Sequence, residues 1–188
     1  MPDVPAVPGS AGLTAATDAV FEPDGPLARA LPHFEPRPGQ RRMAAAVARA
    51  IEDGGVLLAE AGTGTGKTLA YLVPAILSGR RVLVSTGTKN LQEQIYFKDI
   101  PLLQQALGVP FTATYMKGRA NYLCLHRLQQ ARHGGATAGA ELERIAAWAA
   151  HTDTGDRAEL DDLPEQSPAW DEVSATADTC LGSDCPQF

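Results

Sequence analysis

The chain of 188 residues carries 16 Lys and Arg against 22 Asp and Glu, a formal net charge of −6, and 44% of its residues are hydrophobic. This composition is ordinary for a globular protein, and the lack of a run of about 18 apolar residues argues against a membrane span, so we expect no membrane among its partners. The acidic, Pro-rich start has no basic region followed by an apolar core, as a signal peptide would, so we expect a cytoplasmic protein.

The acidic total hides an uneven distribution of charge. Residues 61–120 hold seven Lys and Arg against two Asp and Glu, whereas residues 121–188 hold four against twelve. Because charge acts locally, within about a Debye length, a basic segment can still attract the phosphates of a nucleic acid. Ordinary solvated surface charge is the alternative, and charge alone does not decide between the two.

The first elements in chain order are an arm and a helix. Eight of the fourteen prolines fall in the first 38 residues, and this composition predicts a flexible Pro/Ala-rich arm over residues 1–30. Beyond it, Met43, Val47 and Ile51 recur at intervals of four and predict an apolar stripe on a helix that begins near residue 39. The Asp-Gly-Gly sequence at 53–55 ends that helix.

Short apolar runs and helical patterns alternate along the next segment. We predict strands at 56–59, 82–84 and 111–116, a helix at 67–77 and another from about 90 to 107. Pro74 is expected to kink or end the first of these helices, and Pro101 to interrupt the second. Strand, helix, strand is typical of a parallel sheet with flanking helices, so the predicted fold class is α/β.

The character of the chain changes after residue 118. Leu142, Ile145 and Trp148 are spaced three apart and predict a helix over 140–150. Residues 151–188 are acidic and loop-rich and include two of the three cysteines. We interpret this part as an insertion that depends on something other than a large core.

A glycine-rich segment follows the first predicted strand and fits the Walker A pattern, with Ala61 where the strict form has its first Gly. Its candidate nucleotide-binding residues are Ala61, Gly62, Thr63, Gly64, Thr65, Gly66, Lys67 and Thr68. Glycines let successive backbone N–H groups point at phosphate oxygens, and the following helix favours an anion at its N-terminus. Lys67 can reach the β- and γ-phosphates of ATP, and the Thr68 hydroxyl can ligate Mg²⁺, so these two are the candidate catalytic residues. The alternative is a flexible glycine loop without a ligand.

The three cysteines, Cys124, Cys180 and Cys185, are candidate metal ligands. Thiolates suit iron–sulfur clusters or zinc, and Cys-Pro is a recurring context in ferredoxin-type cluster sites. Because Cys124 lies far along the chain from the other two, their spacing alone leaves unliganded thiols equally open.

Several segments together resemble a known helicase family. Phe34–Gln40 resembles the Q motif of superfamily 2 helicases, Glu60–Thr68 their motif I, and Ser85–Gln94 their motif Ia. Lys117–Cys124 and Cys180–Pro186 are similar to the cysteine-bearing segments of the XPD-like branch. These motifs occur in the same order as in the DinG/YoaA-type iron–sulfur helicases, which the chain resembles from about residue 31 to its last residue.

The resemblance implies roles for individual residues. Gln40 would read adenine, and Cys124, Cys180 and Cys185 would hold a [4Fe–4S] cluster, with zinc the runner-up. The implied contacts to the DNA backbone are Thr86, Thr88, Lys89 and Asn90. A strand end and a helix cap are the alternative for these four positions, and Lys117 and Arg119 could equally line the DNA path or be surface charge.

The resemblance also implies a function and a domain plan. It implies an ATP-dependent DNA helicase, with 5′ to 3′ polarity, acting on single-stranded DNA or duplex junctions in DNA repair or replication. Residues 31–117 would form the first part of a RecA-like P-loop domain, and residues 118–188 a truncated iron–sulfur domain. Because family members have a fourth cluster cysteine and further ATPase motifs, we expect this chain to be an N-terminal fragment that binds ATP but lacks turnover alone.

Two other classes of function remain as alternatives. A small P-loop phosphotransferase would need a lid rich in Arg, and the segment after residue 133 has only Arg144 and Arg157. A non-catalytic, metal-stapled DNA-binding module would have a vestigial phosphate loop, whereas Gly66, Lys67 and Thr68 are intact.

Overall fold

The computed structural model describes residues 12–133, 139–164 and 166–187, which fall into two compact units, Met1–Tyr115 and Met116–Phe188. In the first unit the helices are α1 (Leu13–Val20), α2 (Pro26–Ala30), α3 (Pro38–Asp53), α4 (Lys67–Leu77), α5 (Lys89–Gln94) and α6 (Ile100–Leu107). In the second unit they are α7 (Leu125–His133), α8 (Ala140–Ala149) and α9 (Pro168–Val173). None of the helices in these described ranges has the length and apolarity that a membrane crossing requires.

The flexible arm predicted for residues 1–30 is wrong over its described part. Residues 12–30 include α1 and α2, and Val20, Phe21 and Leu27 are buried in the core of the first unit. Arg41 on α3 also ties this segment down by ion pairs with the carboxylates of Asp18 (3.2 Å) and Glu22 (2.5 Å). The Pro-rich composition indicated flexibility and gave no sign of these buried apolar residues. Residues 1–11 lie outside the described part of the chain.

The helices on either side of the glycine-rich loop confirm the sequence prediction. Helix α3 ends at Asp53 with Gly54 at a positive φ of 77°, and α4 begins directly after the loop. Pro74 does not end α4, which continues to Leu77, so that part of the prediction was wrong. Pro74 is buried among apolar neighbours, and such packing offsets the lost hydrogen bond.

The expected interruption near Pro101 is a π-helical segment, Ile95–Asp99, between α5 and α6. The N–H of Ile100 donates to the carbonyl of Ile95, one residue further back than in an α-helix. Pro101 has no N–H to donate, so a regular α-helix would leave an unmatched carbonyl here, and a wide turn accommodates that loss.

The three predicted strands do not pair. Residues 56–59, 82–84 and 111–116 form neither helix nor β-bridge, and Leu58 and Leu83 are 93% and 95% exposed. In the described ranges the β-bridges are isolated antiparallel pairs, Tyr122 with Asp156 and Leu123 with Ser174. A parallel strand needs a neighbouring strand to pair with and helices that cover both faces of the sheet, and apolar runs alone specify neither.

The second unit has a small core of its own. Leu142, Ile145 and Val173 are almost fully buried beside Trp170. Helix α8, which carries the first two, confirms the helix predicted over 140–150. The indole Nε1 of Trp170 donates to the carbonyl of Ala120 at 2.9 Å and fixes the segment that leads to Cys124.

Candidate functional site

The glycine-rich loop lies between α3 and the first turn of α4. Gly64 and Gly66 both have positive φ, 72° and 81°, and Gly66 is the N-cap of α4 in the left-handed conformation. The Thr65 hydroxyl donates to the Gly62 carbonyl at 2.9 Å and closes the turn. The loop therefore ends where the free N–H groups and partial positive charge of α4 begin, which is the arrangement that binds phosphate.

Gln40 on α3 packs directly against Gly66. Its side-chain Nε2 donates to the Gly66 carbonyl at 2.9 Å, and the residue is only 6% exposed. A Cβ at Gly66 would come within 2.0 Å of that nitrogen, so no larger residue fits here without displacing Gln40. Gln40, which the resemblance implies reads adenine, is therefore in direct contact with Gly66 of the candidate phosphate loop.

Lys67 folds back over the loop. Its Nζ donates to the carbonyl oxygens of Ala61 at 2.8 Å and Gly62 at 2.6 Å. Both acceptors are neutral carbonyls, whereas phosphate oxygens carry a negative charge that attracts the ammonium group more strongly. A bound phosphate can therefore compete for the ammonium group from a position already above the loop.

A cleft of about 320 Å³ lies beside the loop. It is lined by residues 31–35 and Arg37, together with Gln40, Gly66 and Leu69. Phe34 supplies an aromatic face and Gln40 an amide, the groups that stack on and hydrogen-bond a base. The volume is within the usual range for small-molecule sites, about 300–1,000 Å³.

Two residues near the loop were not among the sequence candidates. The guanidinium of Arg37 donates to the Gly64 carbonyl and so links the segment before α3 to the loop. Burial raises the pKa of the Tyr71 hydroxyl, and its hydrogen bond with Thr68 opposes that rise. The spacing of three residues from Thr68 along one helix was the available signal for Tyr71.

The four candidate DNA contacts lie at the start of α5. The Thr88 hydroxyl is the N-cap, accepting from the Leu91 N–H at 3.3 Å, and the Thr86 hydroxyl donates to the Thr88 carbonyl at 3.1 Å. Thr88 thus has a structural role of its own, as the cap interpretation anticipated. Lys89 and Asn90 are exposed.

Lys117 fits neither interpretation given to it from the sequence. Its Nζ lies 2.8 Å from Oδ2 of Asp156, and both side chains are 3% exposed, so it is neither a DNA contact nor a surface charge. Arg119 is exposed, in a short 3₁₀ turn, and remains available for either role.

The cysteines are all free thiols, with Cys180 exposed and Cys124 and Cys185 partly buried. Across the described ranges, no group of three or more His, Cys, Asp or Glu side chains is arranged to hold a metal ion. The donor chemistry suits a cluster, but the geometry does not gather the three residues. Cys124 is positioned by its N–H, which donates to the Val173 carbonyl at 2.8 Å.

Comparison with known proteins agrees with the motifs. The family model described as DEAD/DEAH box helicase matches residues 37–133. The chain is 46% identical over 172 residues to the ATP-dependent DNA helicase YoaA of Escherichia coli, covering 89% of the chain and 27% of that protein. It is 43% identical to YoaA of Haemophilus influenzae, covering 90% and 27%, and 40% identical to the ATP-dependent helicase DinG of Mycobacterium tuberculosis, covering 80% and 26%.

These relatives confirm the DinG/YoaA-type resemblance. The chain spans about a quarter of the length of the curated relatives it matches.

Proposed function

Because this chain belongs to the DEAD/DEAH box helicase family, we propose that it carries the ATP-binding part of an ATP-dependent DNA helicase. The observation that supports this most is the loop that ends at Gly66, in the left-handed conformation, with Lys67 folded over it. Helicase activity, Mg²⁺-dependent ATP hydrolysis and 5′ to 3′ movement belong, in this proposal, to the whole protein, of which these residues form a part.

The proposed ATP site follows from the loop geometry. Backbone N–H groups from Gly62 to Thr68 cradle the phosphates, and Lys67 transfers its hydrogen bonds from the Ala61 and Gly62 carbonyls to the β- and γ-phosphates. The Thr68 hydroxyl, which is hydrogen-bonded to Tyr71 in this structure, would ligate Mg²⁺. The base occupies the cleft next to Gln40.

The proposed DNA contacts divide into two kinds. Lys89 and Asn90 are exposed and are proposed to contact phosphates directly, as Lys and amide side chains commonly do. Thr86 and Thr88 are proposed to reach the backbone from the turn whose hydroxyls already shape the start of α5. The substrate is single-stranded DNA or a duplex junction.

For the second unit we propose an iron–sulfur cluster held by Cys124, Cys180 and Cys185. Its support is chemical, namely three free thiols and a Cys-Pro sequence at 185–186. Since the described geometry does not gather the three thiols, no step of the mechanism is assigned to the cluster. Anaerobic purification tests it: about four irons per chain support the cluster, and stoichiometric zinc would replace it with the alternative.

The proposed domain plan keeps residues 31–117 as the start of a RecA-like P-loop domain and residues 118–188 as the cluster domain. The unpaired, exposed apolar runs at 56–59 and 82–84 support it, because such runs are typical of strands that a parallel sheet buries on both faces. In this plan their neighbours come from the rest of the protein.

The experiment that tests the proposal measures both ligands on this chain. MgATP is expected to raise its melting temperature, and a fluorescent single-stranded oligonucleotide is expected to bind with an affinity that falls as salt rises. Lys89→Ala is expected to weaken binding of all sequences alike and lower the salt slope by about one. Arg49→Ala, an exposed basic residue on α3, is the control and should leave both unchanged. Binding of neither ligand by the wild type would contradict the proposal.

A further inference from the structure

Three aromatic rings form a cluster on the first unit, away from the glycine-rich loop in sequence. The ring centroids of Tyr96 and Tyr115 are 4.5 Å apart, those of Tyr96 and Phe97 5.1 Å, and those of Phe97 and Tyr115 5.5 Å. Such distances and the tilted or edge-on angles are those of attractive aromatic pairs. The rings therefore hold one another in place.

Phe97 is exposed although it belongs to this cluster. It is 59% exposed, which is unusual for a large aromatic side chain that two neighbours already fix. Tyr96 and Phe97 also line a cleft of about 200 Å³, together with Ile100, Pro101, Gln104 and Ala113. This volume is below the range for drug-sized ligands, about 300–1,000 Å³, so the cleft suits a smaller group.

The backbone at this point is distorted. Tyr96 and Phe97 lie in the π-helical segment, and π segments within helices are frequent at functional sites. The segment continues α5, which begins with the exposed Lys89, and the residue after Phe97 is the exposed Lys98. An exposed aromatic ring on a segment that also carries exposed lysines offers the groups that bind a base joined to phosphates.

We propose that Phe97, held by Tyr96 and Tyr115, is a stacking platform for one base of single-stranded DNA. Gln104 in the same cleft is placed to hydrogen-bond the edge of that base. Stacking is tolerant of sequence because every base has a π face, so the platform adds affinity without selecting a base. This inference rests on the proposed function, since it names a further contact to the same DNA.

The test compares two ligands that differ only in their bases. Binding of a fluorescein-labelled oligo-dT and of an abasic strand of equal length is measured by anisotropy at one salt concentration, with the wild type and three variants. The wild type is expected to prefer oligo-dT by about fivefold or more, the range for one stacked base. Phe97→Leu should lose this preference, whereas Phe97→Tyr should retain it. Leu91→Ala, an exposed apolar change on α5, is the control and should behave as the wild type.

Each outcome of this comparison supports or overturns the stacking platform at Phe97. Equal binding of the two strands by the wild type would overturn the platform and leave the proposed function standing, and it does so even if a variant fails to fold. An unchanged preference in Phe97→Leu would also overturn it and indicate a packing surface for another part of the protein. Absence of any DNA binding by the wild type would overturn the platform and the proposed DNA contacts together.

Discussion

The ammonium group of Lys117 and the carboxylate of Asp156 form a buried ion pair at 2.8 Å, although 38 residues separate them in sequence. The other oxygen of Asp156, Oδ1, accepts from the Ala158 N–H at 3.0 Å, and the Lys117 N–H donates to the Tyr122 hydroxyl at 2.9 Å. The pair thus fixes the beginning of the second unit to the turn at residue 156.

Removal of one partner of this pair is expected to be strongly destabilising. Asp156→Ala leaves the Lys117 charge buried without its carboxylate, and such changes cost about 3–5 kcal/mol. The measurement is the free energy of unfolding of the second unit, followed by urea denaturation. Asp162→Ala is the control, because its pair with Arg144 is at 3.9 Å and exposed. That change is expected to cost about 0–1 kcal/mol, and equal costs for the two variants would contradict the assignment.

Gly66→Ala is expected to damage the phosphate loop. A residue with a Cβ costs about 1–2 kcal/mol in the left-handed conformation, and here the Cβ would also overlap Gln40. Thermal denaturation and ATP titration should show lower stability and weaker binding together. Gly87→Ala is the matched control, since no atom lies within 4 Å of its Cβ position. Equal behaviour of the two variants would show that the Gly66–Gln40 contact is unimportant.

The second unit is expected to lose stability in acid through Glu159. Hydrogen bonds from Thr154 and Thr152, and a weaker one from Trp148, hold the pKa of this carboxyl below its ordinary value of 4.5. A lowered pKa stabilises the fold above pH 4.5, and this contribution is lost as the pH falls through the folded-state pKa.

Glu159→Gln is therefore expected to be less stable than the wild type near neutral pH, with the difference shrinking as the pH falls below about 4.5. Urea denaturation over this range measures it. Trp148→Phe, which removes one donor to the same carboxylate, should show a smaller effect of the same sign. A difference that is constant with pH would exclude the carboxylate as its cause.

The parts of this fold that depend on nearby residues were predictable from sequence. Gly54 marks the end of α3, and Gly66 and Lys67 mark the start of α4, because caps and helix periodicity act within a few residues. The cap at Thr88 is equally local and was already an open alternative.

The parts that depend on distant partners were not predictable. Lys117 looked like a solvated or DNA-facing cation because nothing near it reveals Asp156. Apolar runs such as 56–59 indicate that a segment is typically buried, but they do not identify the strands with which it pairs. The sequence therefore predicted a sheet, whereas the described residues form none. The burial of Leu27 was not predicted either, because the prolines around it indicated a flexible segment.

The contribution of Lys67 to ATP affinity decides whether residues 61–68 form the ATP phosphate site. ATP affinity of the wild type, Lys67→Ala and Lys98→Ala is measured by titration with a fluorescent ATP analogue in the presence of Mg²⁺. Loss of a charge-assisted hydrogen bond is expected to weaken binding about tenfold or more in Lys67→Ala, with Lys98→Ala equal to the wild type. Equal affinity of all three proteins would contradict the assignment of residues 61–68 as the ATP phosphate site, and with it the proposed function.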